Sequence, residues 1–235
     1  MVSVISEIGV NWDGDFDVAR EMITKSKNVG CDAVKFQSFD EKNLGNHPKK
    51  SKLLKCAINR MNIDTINDIA KSVGIEWFCT PMNPAAVELI DPYVTKFKIR
   101  ELDGRILLEN KTNVIIDKIL KTDKEVFVSS CDSPKKSKFW SDSRISWMYC
   151  VPKYPCDLSD LDFTNFEDFN GYSNHCPDFL APLSAVLFGA KILEIHTTLD
   201  KTRGFVDNNV SYDFSELEKL MDLIHKCKTI LTKHT

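Results

Sequence analysis

The sequence lacks any excess of one charge: 31 Lys and Arg stand against 34 Asp and Glu, a net of -3 over 235 residues. With no clustered basic face there is no electrostatic footprint for nucleic acid. No run approaches the ~18 apolar residues of a membrane span. The start, "MVSVISEIGV", lacks the charged beginning and small-residue cleavage site of a signal peptide. No nucleic acid or membrane partner is therefore expected, and the expected location is cytoplasmic. The eight cysteines include no C-x-x-C pair, which argues against a thiolate zinc site. Several lie in apolar runs ("WFCTPM", "WMYCV"), where reduced cysteine serves as a small hydrophobe. No glycine-rich phosphate turn follows the first apolar run, "EIGVNWDGDF", which argues against a doubly wound dinucleotide fold. No internal repeat or low-complexity linker divides the chain, so residues 1–235 read as one domain. Histidine is scarce, at five.

An apolar fraction of 43% is ample for a sizeable core. Short runs rich in β-branched and aromatic residues recur at 2–10, 33–39, 76–82, 96–101, 125–130, 145–151, 171–176 and 191–199, each of strand length. Helix-period segments separate most of them. In "DFDVAREMITKSKNVG", Phe16, Ala19, Met22 and Ile23 share a face that ends at the C-cap candidate Gly30. "DTINDIAKSVG" ends likewise at Gly74. "APLSAVLFGA" is small and apolar enough to be well buried. The last segment opens on a capping box (Asp213, Glu216) and carries Leu217, Leu220, Ile224, Cys227 and Leu231 as a stripe. Eight strands alternating with helices predict a (β/α)8 TIM barrel. Between the fifth and sixth strands, "CDSPKKSKFWSDSR" leaves little room for a helix, so helix five is expected to be reduced or missing. The polar "DEKNLGNHPKKSKLLK" after strand two reads as solvated surface or as a lid over the loop face of the barrel.

Barrel interiors call for Val, Ile and Leu, yet ionisable residues sit near the ends of several strands: Glu7, Lys35, Lys98, Glu194 and His196, with Thr80, Ser129 and His175 beside them. Period-two alternation sets Lys35 with Gln37, and Glu194 with His196, on single faces. One interior lysine could be a structural ion pair. Several converging from separate strands suit a site that takes an anion and a divalent metal.

The motifs "EIGVNWDGD", "AVKFQSF", "WFCTPMN", "KFKI", "YPCDLSDL", "GYSNHC", "GAKILEIHTTLDK" and "GFVDNNVS" occur in an order and spacing that resemble the sialic acid synthase family from about residue 3 to 212. The resemblance implies a (β/α)8 barrel that condenses phosphoenolpyruvate with an N-acetylated amino-sugar aldehyde, releasing phosphate, with Mn2+ or Mg2+ as cofactor. Carried over by position, it implies that His175 and His196 bind the metal and that Lys35, Thr80, Lys98 and Ser129 hold phosphoenolpyruvate. Glu7, Asp103, Tyr154 and Asp207 are implied as catalytic residues around the sugar and metal.

The chain also departs from the family. After "KFKI" the family's Gly-Ser-Gly-acid turn becomes "REL" and Asp103, so that Glu101 stands where a serine would contact phosphoenolpyruvate. The first-strand Asn-His is Asn11-Trp12, Pro152 replaces a small polar residue, and Asn208 replaces a frequent histidine. Relatives usually carry a C-terminal antifreeze-like domain whose arginine holds the acceptor's N-acetyl group; that domain is expected to be lacking after the last barrel helix. The expected activity is that of an N-acetylneuraminate synthase-like transferase, forming a nonulosonic sugar acid. The alternative is a catalytically impaired or non-catalytic ligand-binding homologue, and a Schiff-base aldolase using Lys35 or Lys98 is a third reading. A homodimer through barrel faces is left open.

Overall fold

The computed structural model describes residues 2–231. Eight parallel strands follow one another around a closed barrel: β1 (Ser3–Gly9), β2 (Ala33–Ser38), β3 (Glu76–Pro81), β4 (Lys96–Ile99), β5 (Glu125–Ser130), β6 (Ile145–Tyr149), β7 (Gly171–Asn174) and β8 (Ile192–Thr198). Closure comes from β8 pairing back onto β1, with Ser3 opposite Ile192 and Glu7 opposite His196. An open doubly wound sheet has no such pairing, so the barrel expectation holds. A ninth, two-residue strand, β9 (Tyr212–Asp213), extends β8 in parallel beyond the barrel. It was not expected.

Helix boundaries follow local chemistry. α1 (Phe16–Asn28) begins where the Asp15 carboxylate accepts from Asp17 N and Val18 N, and it stops before Gly30, whose φ of +91° lies in the left-handed region. Its buried face is Val18, Ala19, Met22, Ile23 and Ser26. Phe16, expected on that face, is 39% exposed, because the first helical residue looks back over Trp12 (ring centroids 5.9 Å apart) rather than into the core. α2 (Glu41–Leu44), α3 (Lys50–Cys56) and α4 (Ile63–Val73) lie between β2 and β3, and α5 (Pro84–Ile90) leads to β4. α6 (Glu101–Leu108) and α7 (Val114–Leu120) lead to β5. α8 (Leu180–Leu187) is less buried than its composition suggests. Ala181, Pro182, Ala185 and Val186 face inward, while Leu180, Leu187 and the following Phe188 are more than half exposed. A surface helix on a barrel has only one inner side, whatever its hydropathy. α9 (Phe214–Leu231) is held at its start by the reciprocal Asp213–Glu216 box, both bonds at 2.9 Å. Leu217, Leu220 and Ile224 pack inward and Cys227 is half-buried. The Leu231 side chain lies outside the described residues.

Between β5 and β6 the only helical turn is a single 3-10 turn, Pro134–Lys136, as the polar segment predicted. The connection from β6 to β7 also lacks an α-helix, having only the 3-10 turns Leu158–Asp160 and Phe166–Asp168. That second gap was not legible. An aromatic cluster fills the space a helix would cover: Tyr149, Phe163, Phe166, Phe169 and Tyr172, with centroids 5.2–6.3 Å apart. Rings bury large apolar areas per residue, so five of them can close a barrel wall without a helix. All eight cysteines are free, six of them buried. None of the described helices is long and apolar enough to cross a membrane.

Candidate active site

The inward positions of the strands converge on a cavity of about 370 Å³ at the C-terminal end of the barrel. There the loops that follow parallel strands meet. Glu7 (β1), Lys35 (β2), Thr80 (β3), Lys98 (β4), Ser129 (β5), Ser173 (β7), Glu194 and His196 (β8) all line it, with Cys150, Tyr154, His175 and Asp207 from the following loops. The strand alternation that set Lys35 and Gln37 on one face is realised, and Gln37 Nε2 donates to Glu7 Oε1 at 2.7 Å.

On the floor, two acids and two lysines are matched. Lys35 Nζ lies 2.9 Å from Glu7 Oε2 and 3.6 Å from Glu194 Oε1, and it donates to Thr80 Oγ1 at 3.0 Å. Lys98 Nζ donates to Glu194 Oε2 at 2.8 Å, and Ser173 Oγ donates to Glu194 Oε1 at 2.9 Å. Burial pulls the Lys35 ammonium down, but Glu194 and Glu7 outweigh it and hold its pKa above the ordinary value. For Lys98 burial wins over Glu194, and its pKa falls. Burial pushes Glu194 up, yet Lys35 and Lys98 together hold it well below the carboxylate range. Glu7 has only one lysine against burial and the nearby Glu194, so its carboxyl is pushed up to about 7. Ser129 Oγ is buried and has no partner among the described residues. An unmatched buried hydroxyl costs about 1–3 kcal/mol unless a ligand satisfies it.

The rim is built from neutral rings. Asn174 folds the chain after β7, its Nδ2 donating to Cys176 O (2.8 Å) and its Oδ1 accepting from Cys176 N (3.1 Å). This short turn presents His175. His175 Nδ1 lies 3.0 Å from Val151 O, so that nitrogen carries the proton and Nε2 keeps its lone pair. His196 Nδ1 is 3.4 Å from Tyr154 Oη and 3.6 Å from Asp207 Oδ2, and its ring centroid is 5.5 Å from that of His175. Burial lowers both imidazole pKa values, His196 the more strongly because His175 adds to the effect. Buried Asn11 fastens this side: it donates to Thr197 O and Ser211 Oγ and accepts from Asp207 N. Burial raises the Asp207 carboxyl.

The segment after β2 reaches over the cavity with Phe39, Asn43, Leu44, His47 and Leu53. Lys52 Nζ ties it across the mouth to Gly204 O (2.6 Å) and Asp13 (3.2 Å). The lid reading of this segment therefore has a geometric basis.

Of the residues expected in the site, Asp103 is not brought to the cavity. It lies in the first turn of α6, where its Oδ2 accepts from Arg100 Nε at 2.7 Å. Alignment by position fixes a residue's place along the chain, whereas the turn of the helix decides where its side chain goes. Arg100 and Glu101 line the cavity instead, and Glu101 Oε1 accepts from Arg105 Nε at 2.6 Å. The residue reading placed Glu194 among the converging ionisable residues without a separate role, and it missed Ser173 and Cys150. Ser173 was findable, being the period-two partner of His175.

As a test of metal fit, the two imidazoles are neutral and close, and the His175 Nε2 lone pair meets only the weak donor Cys150 Sγ, at 4.0 Å, among the described residues. Among the described residues no group of three His, Cys, Asp or Glu side chains forms a site by itself. The donor set suits an ion held by two imidazoles, with positions left for substrate or water.

Comparison with known proteins decides the family. The NeuB family model matches residues 22–235. The chain belongs to the NeuB family. Among its NeuB relatives, it is 26% identical to the pseudaminic acid synthase of Campylobacter jejuni, over 98% of this chain and 75% of that protein. It is 28% identical to the N,N'-diacetyllegionaminic acid synthase of Legionella pneumophila (97% and 72%) and to the N-acetylneuraminate-9-phosphate synthase of Homo sapiens (93% and 68%). The crystal structure of the N-acetylneuraminic acid synthetase of Leptospira borgpetersenii superposes with a TM-score of 0.85 at 23% identity, covering 98% of this chain and 85% of that one. A truncated 3-deoxy-D-arabino-heptulosonate 7-phosphate synthase of Thermotoga maritima shares the fold at a TM-score of 0.73 and 11% identity. These three relatives are synthases of sialic or related acids, which supports that broad reaction class.

Proposed function

We propose that this NeuB protein joins phosphoenolpyruvate to a sugar aldehyde, giving a nonulosonic acid and inorganic phosphate in the manner of an N-acetylneuraminate synthase. The carrying observation is the meeting in one cavity of Lys35, Lys98, Thr80 and an unsatisfied Ser129 hydroxyl with the neutral pair His175 and His196. In this reading Lys35, Thr80, Lys98 and Ser129 hold the carboxylate and phosphate of the donor and stabilise charge that builds on the departing phosphate. C3 of the donor bonds to the aldehyde carbon, and water adds to C2. The bond from C2 to the ester oxygen breaks, and the protons from water end on the aldehyde oxygen and the phosphate. Glu7, whose carboxyl titrates at about 7, exchanges a proton at neutral pH. Asp207 and Tyr154 orient His196 and face the acceptor. His175 and His196 would hold a divalent ion, which when bound supplies Lewis-acid polarisation of the aldehyde. Two nitrogen donors favour Mn2+ over the oxygen-seeking Mg2+.

Against a binding-only homologue stands Arg105, which matches the Glu101 charge that motivated that reading. Against an imine at Lys35 stands the ion pairing that holds its pKa above the ordinary value, since an imine needs a neutral amine. The test is phosphate release from phosphoenolpyruvate with Mn2+ and a panel of N-acetylated and simple aldoses. Release that depends on the aldose and stops with EDTA is expected. A folded protein that releases none across the panel would sink the proposal.

A further inference from the structure

The turn from β4 into α6 is where the chain departs most from the family pattern, and it forms one wall of the cavity. Gly104 sets how near that wall comes to the floor, because a Cβ there would lie 2.1 Å from Ser129 O and only glycine lets α6 close on β5. Arg100 and Glu101 face the cavity from this turn; Asp103 does not line it. Glu101 is neutralised by Arg105 one helical turn on. Arg100 is treated differently. Its Nε is braced by Asp103 at 2.7 Å, its Nη1 meets only the Met82 thioether at 3.6 Å, and its Nη2 has no partner among the described residues. A thioether is a weak acceptor. The floor lysines, by contrast, are engaged with Glu7 and Glu194. Arg100 is thus a cavity-lining cation with one edge fixed and uncommitted N–H donors on the other. A planar guanidinium in that state suits the oxygens of a phosphate group.

We propose that Arg100 recognises a phosphate monoester in this cavity. The inference rests on the synthase reading for its substrate. The phosphate could belong to the enol phosphate donor or to a phosphorylated acceptor aldehyde, and the probes separate the two. Isothermal titration of the full chain with Mn2+ would use phosphoenolpyruvate, glucosamine 6-phosphate and inorganic phosphate, with pyruvate measured by competition. Arg100→Ala is expected to weaken inorganic phosphate about tenfold or more, together with whichever ester the site uses. Pyruvate affinity should stay within about twofold and the thermal midpoint within about 2 °C, because Arg100 is a partly exposed helix N-cap. Arg100→Lys should restore part of the loss, since it returns the charge without the fork. Phosphate binding that is absent from the wild type, or equal in wild type and Arg100→Ala, overturns the proposal. So does an equal loss for pyruvate, which would make Arg100 a carboxylate reader. Arg100-dependent phosphate binding in a protein that releases no phosphate with any aldose would retire the synthase reading and leave this inference standing.

Discussion

The floor of the cavity and His196 on its rim are buried to a similar depth but solve burial in opposite ways. Glu7, Lys35, Lys98 and Glu194 are each 1–3% exposed and offset burial by pairing opposite charges, fully for Lys35 and Glu194 and in part for Lys98 and Glu7. His196 is 5% exposed, and it and His175 are held neutral. Lysine and glutamate stay charged in the interior if opposite charges are near enough, whereas imidazole can shed its proton close to neutral pH. The floor is therefore a rigid polar lattice suited to an anion, and the rim offers nitrogen lone pairs suited to a metal. The first region should govern stability and the second ligand binding.

The largest expected effect tests the lattice. Lys98→Met leaves Glu194 with Lys35 alone at 3.6 Å and is expected to cost about 3 kcal/mol in equilibrium urea unfolding. Adding Glu194→Gln removes the stranded charge and should return the protein to within about 1 kcal/mol of wild type. A single variant as stable as the parent would mean that the pairs do not carry the floor.

Proton linkage gives an intermediate effect and sets the two regions against each other. The folded imidazoles refuse protons that the unfolded chain accepts below about 6.5, so their contribution is complete above that pH and is lost on acidification. Glu7 runs the other way. Its folded carboxyl binds a proton at about 7 against 4.5 for the ordinary group, so its contribution is full below 4.5 and disappears as pH rises through 7. Between pH 7 and 5 the two partly cancel. Glu7→Gln removes the opposing member, and its stability should fall more steeply on acidification, by up to about 1.4 kcal/mol per pH unit. Parallel urea-midpoint curves for the variant and wild type from pH 5 to 8 would contradict this assignment.

The smallest effect on stability belongs to the rim. His196→Ala enlarges a cavity that is already open and breaks long polar contacts to Tyr154 and Asp207 and ring contacts to Tyr154 and His175. A loss below about 1 kcal/mol is expected, together with loss of Mn2+ binding measured by titration calorimetry. Unchanged Mn2+ affinity would move the metal away from the histidines.

Much of this protein was legible because strands announce their faces. Ionisable residues at Lys35, Lys98, Glu194 and His196 break an apolar pattern that a barrel interior otherwise demands, and so they stood out. All eight strands fell where the apolar runs lay, although β4 ends at Ile99, where Arg100 caps α6, and β7 ends at Asn174, where a side-chain turn takes over. The missing helix between β6 and β7 was not legible, since an aromatic cluster that replaces a helix has no period of its own. Asp103 misled because its place along the chain said nothing of the helix turn that aims it at Arg100.

The sequence by itself determined the alternation of strands and helices, the strand faces and the ionisable residues that those faces carry inward, because these follow from local periodicity. Only the tertiary structure decided which lysine meets which glutamate, that Ser129 is left without a partner among the described residues, and that Arg100 rather than Asp103 enters the cavity. Those outcomes depend on contacts such as Lys98 with Glu194, ninety-six residues apart. Such pairings are fixed by the closing of β8 onto β1 and by the close approach that Gly104 allows, and no local pattern encodes either.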